Sequence, residues 1–184
     1  KISAPVSLDD GADPNNNFSG ESAVIKGRGN FTWSLDKRPY QIKFDSKKTL
    51  LGMAPAKTWV LLANHTDRSF ARNSVIFDLA KEMGLDYSSE SRFVDLYING
   101  EYLGNYLICE KVEVGSNRVE LENPDGLLLE MDNHYGTAEP YYFATAKSGT
   151  IFTLKDSVKA ADSPEVQQAF ADVQADINEL EALL

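Results

Sequence analysis

Residues 23–45 read AVIKGRGNFTWSLDKRPYQIKFD, and this stretch decides the fold. Val24 and Lys26 lead into Gly27-Arg28-Gly29-Asn30, and Tyr40-Gln41-Ile42-Lys43-Phe44 then alternates apolar with polar. The pattern predicts a strand, a glycine turn, a short loop and a second strand. Glycines on both sides of Arg28 free the backbone for positive φ, so successive N–H groups can point into one concavity. A concavity of that kind suits a phosphate, and a lysine on a neighbouring strand could reach the same anion. A glycine turn that binds nothing accounts for the same residues.

Composition sets the frame around this stretch. The chain has 184 residues, 42% of them hydrophobic and 25% charged, which is enough to bury a core. Its 18 Lys+Arg against 28 Asp+Glu give a formal net charge of −10. That balance argues against a nucleic-acid surface, which needs clustered cations, and against docking on anionic lipid. Local basicity persists in Lys26, Arg28, Lys37, Arg38, Lys43, Lys47 and Lys48, in or beside the opening stretch. An anion site fits there; so does a solvated strand face. The single cysteine, Cys109, precludes an internal disulfide and follows the apolar run Tyr106-Leu107-Ile108, where a small buried hydrophobe is expected. His65 and His134 have no second ligand at metal spacing, and no apolar run is long enough to span a bilayer.

Residues 1–21 read as a polar lead-in with a short edge strand near Ile2. The loop from Lys47 to Lys57 offers Leu50, Leu51 and Met53 to the core, and Thr58 to Ala63 is a strand buried on both faces. A helix is expected over Ser69–Met83, capped by Asp67 or Ser69 and ended by Gly84, with Ile76, Leu79, Ala80 and Met83 as its apolar stripe. Arg92 to Glu110 predicts a hairpin about Asn99-Gly100. Gly126 to Asp132 is a further strand, with Glu130 and Asp132 on one face as a solvated pair or a cation or proton site. Tyr141 to Ala146 and Thr150 to Leu154 form a last hairpin. The final helix starts with Ser163 as N-cap, Pro164 and Glu165, and carries the stripe Val166, Phe170, Val173, Ile177, Leu180 and Leu184. The fold class expected is α+β: a twisted, largely antiparallel sheet with one packed helix and the C-terminal helix at one edge.

Taken in order, several blocks resemble the CotH-type spore-coat kinase family. They are Lys26 to Asn30, Thr32-Trp33, Lys37 to Phe44, Leu50-Leu51-Gly52, Trp59 to Asn64, Asp67 with Arg72-Asn73, Phe93 to Val112, and Gly126 to Asp132. The likeness covers most of residues 22–184. It implies an atypical kinase fold in which residues 22–184 form the small lobe and the first helix of the large lobe. It also implies ATP with Mg²⁺ or another divalent cation as cofactor. Carried over by position, Gly27, Arg28, Gly29 and Asn30 would lie over the phosphates and Lys43 would neutralise them. Glu82 would pair with Lys43, with Asp78 as the alternative, and Arg72 would make a structural or phosphate contact. Glu110 to Val112 would form the hinge that offers backbone groups to adenine. The family's catalytic and metal-holding aspartates follow the helix that ends here, so this chain alone is expected to lack turnover.

Two functions compete on this reading. One is the nucleotide-binding portion of a secreted or spore-associated protein kinase acting on Ser/Thr-rich proteins. The other is a non-catalytic extracellular scaffold on the same fold. A weaker third, carbohydrate binding, rests on Trp33, Tyr40, Tyr141 and Tyr142, aromatics that more often fill a core. The open stripe of the last helix is a candidate dimer contact.

Overall fold

The computed structural model describes residues 1–134 and 136–184, which divide into two compact units, Lys1–Lys111 and Val112–Leu184. Each unit has its own sheet.

The first unit is a six-stranded antiparallel sheet in the order β1-β2-β3-β4-β6-β5. Its strands are β1 (Ile2–Leu8), β2 (Phe18–Gly27), β3 (Tyr40–Lys48), β4 (Ala56–Leu62), β5 (Ser91–Ile98) and β6 (Glu101–Glu110). The lead-in is therefore part of the sheet. Six of its residues pair along β2, with Ile2 opposite Ile25 and Val6 opposite Glu21. The β5–β6 hairpin turns on Asn99 and Gly100, both at positive φ (53° and 81°), as a type I′ turn requires.

Residues facing each other across a ladder share a sheet face, and neighbours along a strand alternate. Ile25, Ile42 and Trp59 align on one face, whereas Lys43 aligns with Val24 and Thr58 on the other. The first face carries the core: Ala23, Ile42, Phe44, Trp59, Leu61, Tyr106 and Ile108, plugged from the β3–β4 loop by Leu50 and Met53. Leu51 packs against this cluster from outside. Trp59 is fully buried and donates its indole N–H to the Ala56 carbonyl at 3.2 Å. β4 is buried on both faces, as its unbroken apolar run requires.

Helix α1 spans Arg72–Glu82, starting three residues later than the sequence suggests. Asp67 still serves its first turn from upstream, accepting the Arg72 N–H at 2.9 Å and the Ser69 N–H at 3.0 Å. The expected stripe does not face the core. Ile76 is 58% exposed and Met83 70%, with Val75 and Leu79 also open. Ser74, Phe77 and Ala80 are the half-buried positions, and Ser88 reaches back to donate to the Phe77 carbonyl at 2.7 Å. Periodicity identified the helix; it could not tell which side the sheet would cover.

The second unit holds a three-stranded antiparallel sheet, β7 (Leu127–Met131), β8 (Tyr142–Ala144) and β9 (Ile151–Ser157), in the order β7-β9-β8. Helix α2 (Pro164–Leu183) begins as expected, with the Ser163 hydroxyl accepting the Val166 N–H. Phe143 packs at 5.5 Å from Phe152 and edge-on at 5.2 Å to Phe170. The stripe is buried at Val166 and Phe170, then opens, so that Leu180 and Leu184 are exposed. This helix packs on its own small sheet. Glu130 forms an ion pair with Lys155 on the paired strand β9, which supports the solvated-face reading of that carboxylate.

Trp59→Ala is expected to destabilise the first unit by about 3–5 kcal/mol through the cavity it leaves. Ile76→Ser is expected to change stability by no more than about 0.5 kcal/mol, because that side chain already meets water. Chemical denaturation followed by circular dichroism checks both; a large cost at Ile76 would show that α1 is turned the other way.

Candidate functional site

The glycine loop is held by aromatic contacts rather than left open. The Arg28 N–H donates to the Pro39 carbonyl at 3.2 Å and closes the neck of the loop, so this donor is already engaged. Gly29 takes positive φ (79°), as expected, whereas Gly27 does not. Gly27 is needed for another reason. The Trp33 ring lies directly on it, and a Cβ there would sit 2.3 Å from the ring. Trp33 comes from a 3-10 turn over Phe31–Ser34 and meets Tyr40 edge-on at 5.9 Å. Arg38 lies over its ring at 5.2 Å.

Lys37 is the second anchor. Its ammonium sits 4.5 Å from the Phe70 ring centroid and 4.7 Å from that of Tyr106, and donates to the Asn105 carbonyl. Burial holds its pKa below the ordinary lysine value; the two ring faces and the carbonyl offset that cost. Tyr106, whose hydroxyl donates to the Arg38 carbonyl at 2.9 Å, has its pKa pushed up to about 12, first by burial and then by Tyr40. These contacts tie the loop to the Tyr40–Tyr106 face. Phe70 holds positive φ (58°), unusual for an aromatic residue, with its carbonyl accepting from the Asn64 side chain at 2.9 Å. One lysine thus joins the glycine loop, β6 and the segment that leads into α1.

Lys43 lies on the other face. It is exposed and directly opposite Val24 and Thr58. Lys26, opposite Gln41, shares that face as the diagonal neighbour of Lys43, with about 7–8 Å between such positions. Neither lysine forms an ion pair with a described residue. Lys26 as the partner of Lys43 is a pairing that the sequence carried only in its strand register.

The expected Lys43–Glu82 pair is not formed, nor is one with Asp78. α1 packs beside β5, three ladder steps from β3, or about 14 Å at the usual strand spacing. Lys81 makes the helix's own tie, to Glu90 at 3.4 Å. Arg72 approaches Asp67 at 3.6 Å with its side chain 81% exposed. Ser69 and the Arg72 N–H, in that order, hold the Asp67 pKa below the usual carboxylate value. Glu110 is buried, its Oε2 accepting from the Glu90 N–H at 3.1 Å and from the Tyr87 hydroxyl at 3.3 Å. Its own N–H donates to the Glu90 carbonyl at 3.1 Å, so this part of the expected hinge is committed to the β5–β6 join. Val112 is the first residue of the second unit. Trp33 and Tyr40 serve the loop anchor, which accounts for them without a sugar.

No group of three or more His, Cys, Asp or Glu is placed to hold a metal ion among the described residues. No helix among them is long and apolar enough to cross a membrane.

An antiparallel sheet with a helix inserted before its final hairpin is consistent with a kinase-like fragment. The model of the family described as CotH kinase protein matches residues 25–183, and the chain belongs to that family. None of the curated proteins compared with the chain matches it.

Two variants test this geometry. Gly27→Ala is expected to displace Trp33, cost about 1–3 kcal/mol and accelerate hydrogen exchange across residues 28–39; unchanged exchange would show that the ring does not fasten the loop. Asp67→Asn removes a carboxylate whose pKa is lowered on folding. The stability that it adds is present above the ordinary value of 3.8 and fades as pH falls through the lower folded value. The wild type should therefore lose stability in that acid range and the variant should lose less, as thermal unfolding between pH 2 and pH 6 would record.

Proposed function

We propose that the chain is the nucleotide-binding portion of a protein kinase that modifies serine or threonine on secreted or spore-coat proteins. The observation that carries this reading is the Lys26–Lys43 pair. Two neighbouring cations without carboxylate partners, in a chain of net charge −10, repel each other until an anion joins them. The phosphates of ATP supply such an anion, and phosphoryl transfer depends on charge neutralisation of this kind. Both ammonium groups would contact phosphate oxygens, while Gln41, half-buried on the same sheet face, offers a neutral hydrogen-bonding group. A divalent ion bound with the nucleotide would supply further charge neutralisation, and its protein ligands are not among the described residues.

The family match supports this reading, as does the position of α1 between β4 and β5 in chain order. A scaffold without catalysis is the second reading. It is favoured by the exposed stripe Val75, Ile76, Leu79 and Met83, which suits a protein contact.

ATP with Mg²⁺ at one hundred times its dissociation constant is expected to stabilise the protein by about 2.7 kcal/mol. Lys43→Ala should abolish most of that gain and Lys26→Ala should weaken it, with the unliganded melting temperatures nearly unchanged. Thermal shift with isothermal calorimetry measures both. No stabilisation by millimolar nucleotide would favour the scaffold.

A further inference from the structure

The core face of the first sheet is not filled to its rim. A cavity of about 1260 Å³ opens between its two edge strands, larger than the roughly 300–1,000 Å³ usual for small-molecule pockets. The inner strands contribute mainly core-facing residues to it: Phe18 and Ile25 from β2, Tyr40 and Ile42 from β3, Leu61 from β4, with Ser19 joining them where β2 meets the end of β1. The edge strands contribute differently. Val6, Ser7 and Leu8 of β1, and Val94, Asp95 and Leu96 of β5, line it in unbroken succession. A longer run of both orientations borders one space where the strand's edge faces it. The two outermost strands of the sheet, each with one ladder side unpaired, therefore border the same trough.

Three features select an occupant. The free edges present backbone donors and acceptors at strand spacing, which an extended chain satisfies and a hydrocarbon cannot. The apolar floor calls for apolar side chains at every second position of that chain. The charged residues lining the trough are Asp9, Asp10 and Asp95, with no lysine or arginine among them. Asp95 alternates with Val94 and Leu96 and its carboxylate accepts from Tyr102 and Asn105, so the acidic side chains at the trough are those of Asp9 and Asp10 at the end of β1. The Asp10 pKa is held low, first by the Asn16 side chain, so this carboxylate stays ionised in mild acid.

We infer that this trough binds an extended peptide segment of a partner protein, with alternating apolar side chains and flanking lysine or arginine, added as a strand along β1 or β5. Pro5 has no N–H to offer, so the register on β1 passes it over or β5 takes the ladder. The trough lies on the face opposite Lys26 and Lys43, and the inference does not depend on nucleotide binding. Peptide and ATP should bind without competing.

The test uses the full chain and a fluorescein-labelled peptide of alternating valine and threonine with an arginine at each end, followed by anisotropy. Saturable binding is expected. It should weaken at least tenfold when alternate backbone nitrogens are methylated, and at least fivefold when glutamates replace the terminal arginines. Leu96→Lys, which charges the floor, should abolish it; circular dichroism reports whether that variant folds, and the peptide series on the unaltered protein stands without it. Equal binding of the methylated and unmethylated peptides would overturn the proposal. So would a concentration-dependent dimer in sedimentation that excludes the peptide, which would make a second copy the occupant. Saturable uptake of palmitate with no peptide binding would overturn it in favour of an apolar small molecule.

Discussion

The first unit depends on the burial of β4. This strand pairs with β3 on one side and β6 on the other, and its apolar run leaves neither face to water. Trp59 occupies the middle of that arrangement with no exposed surface and with its single polar atom satisfied by Ala56. A fully buried indole with its N–H bonded gains the whole transfer energy of its area without the cost of a stranded donor. Pairing on both sides then fixes the register of β3, and with it the faces to which Ile42 and Lys43 belong. Everything said of the lysine face follows from that register, because a slip of one residue would exchange the two faces.

The loop from Arg28 to Pro39 obeys a different logic. It has no ladder, so its position comes from side chains that reach far along the chain. Lys37 and Arg38 are each 68 residues from their partners on β6, Asn105 and Tyr106. Closing a contact across such a distance costs chain entropy, and several contacts made together share that cost. Two rings about one ammonium, a tyrosine hydroxyl on a carbonyl and an indole on Gly27 provide them. The loop resembles a phosphate cradle in sequence, but much of its chemistry fastens it to the sheet. What remains for a ligand is the tip.

This contrast explains what the sequence disclosed. Features whose cause is local were legible: the Asn99-Gly100 turn, the Ser163-Pro164 cap, the alternation through Tyr40–Phe44 and the unbroken run of β4. Features set by distant partners were not. The stripe of α1 has helical spacing, yet nothing in its own sequence says that Phe77, not Ile76, turns inward. Pairing Lys43 with Glu82 assumed that α1 crosses the sheet near β3; the order β3-β4-β6-β5 puts two strands between β3 and the strand that the helix accompanies. The Lys26–Lys43 adjacency depends on register alone, so Lys26 was legible beside the glycine turn and among the local cations but not as a neighbour of Lys43.

The sheet thus presents two chemically distinct faces. One carries adjacent cations and suits a polyanion; the other carries an apolar floor with Asp9 and Asp10 at one end and suits a cationic chain. Each would repel the other's ligand, so their specificities are separate without any barrier between them. They are not mechanically separate. Lys37 joins the glycine loop to Phe70, the residue held at positive φ just before α1, and to β6, which carries β5 and its free edge. A strand added along β5 would restrain that edge, and the restraint would pass through β6 to the Asn105 and Tyr106 contacts that hold the loop. Coupling by this route requires only that the loop be less mobile when its anchor is stiffened, since ordering already spent by one ligand is not spent again by the next.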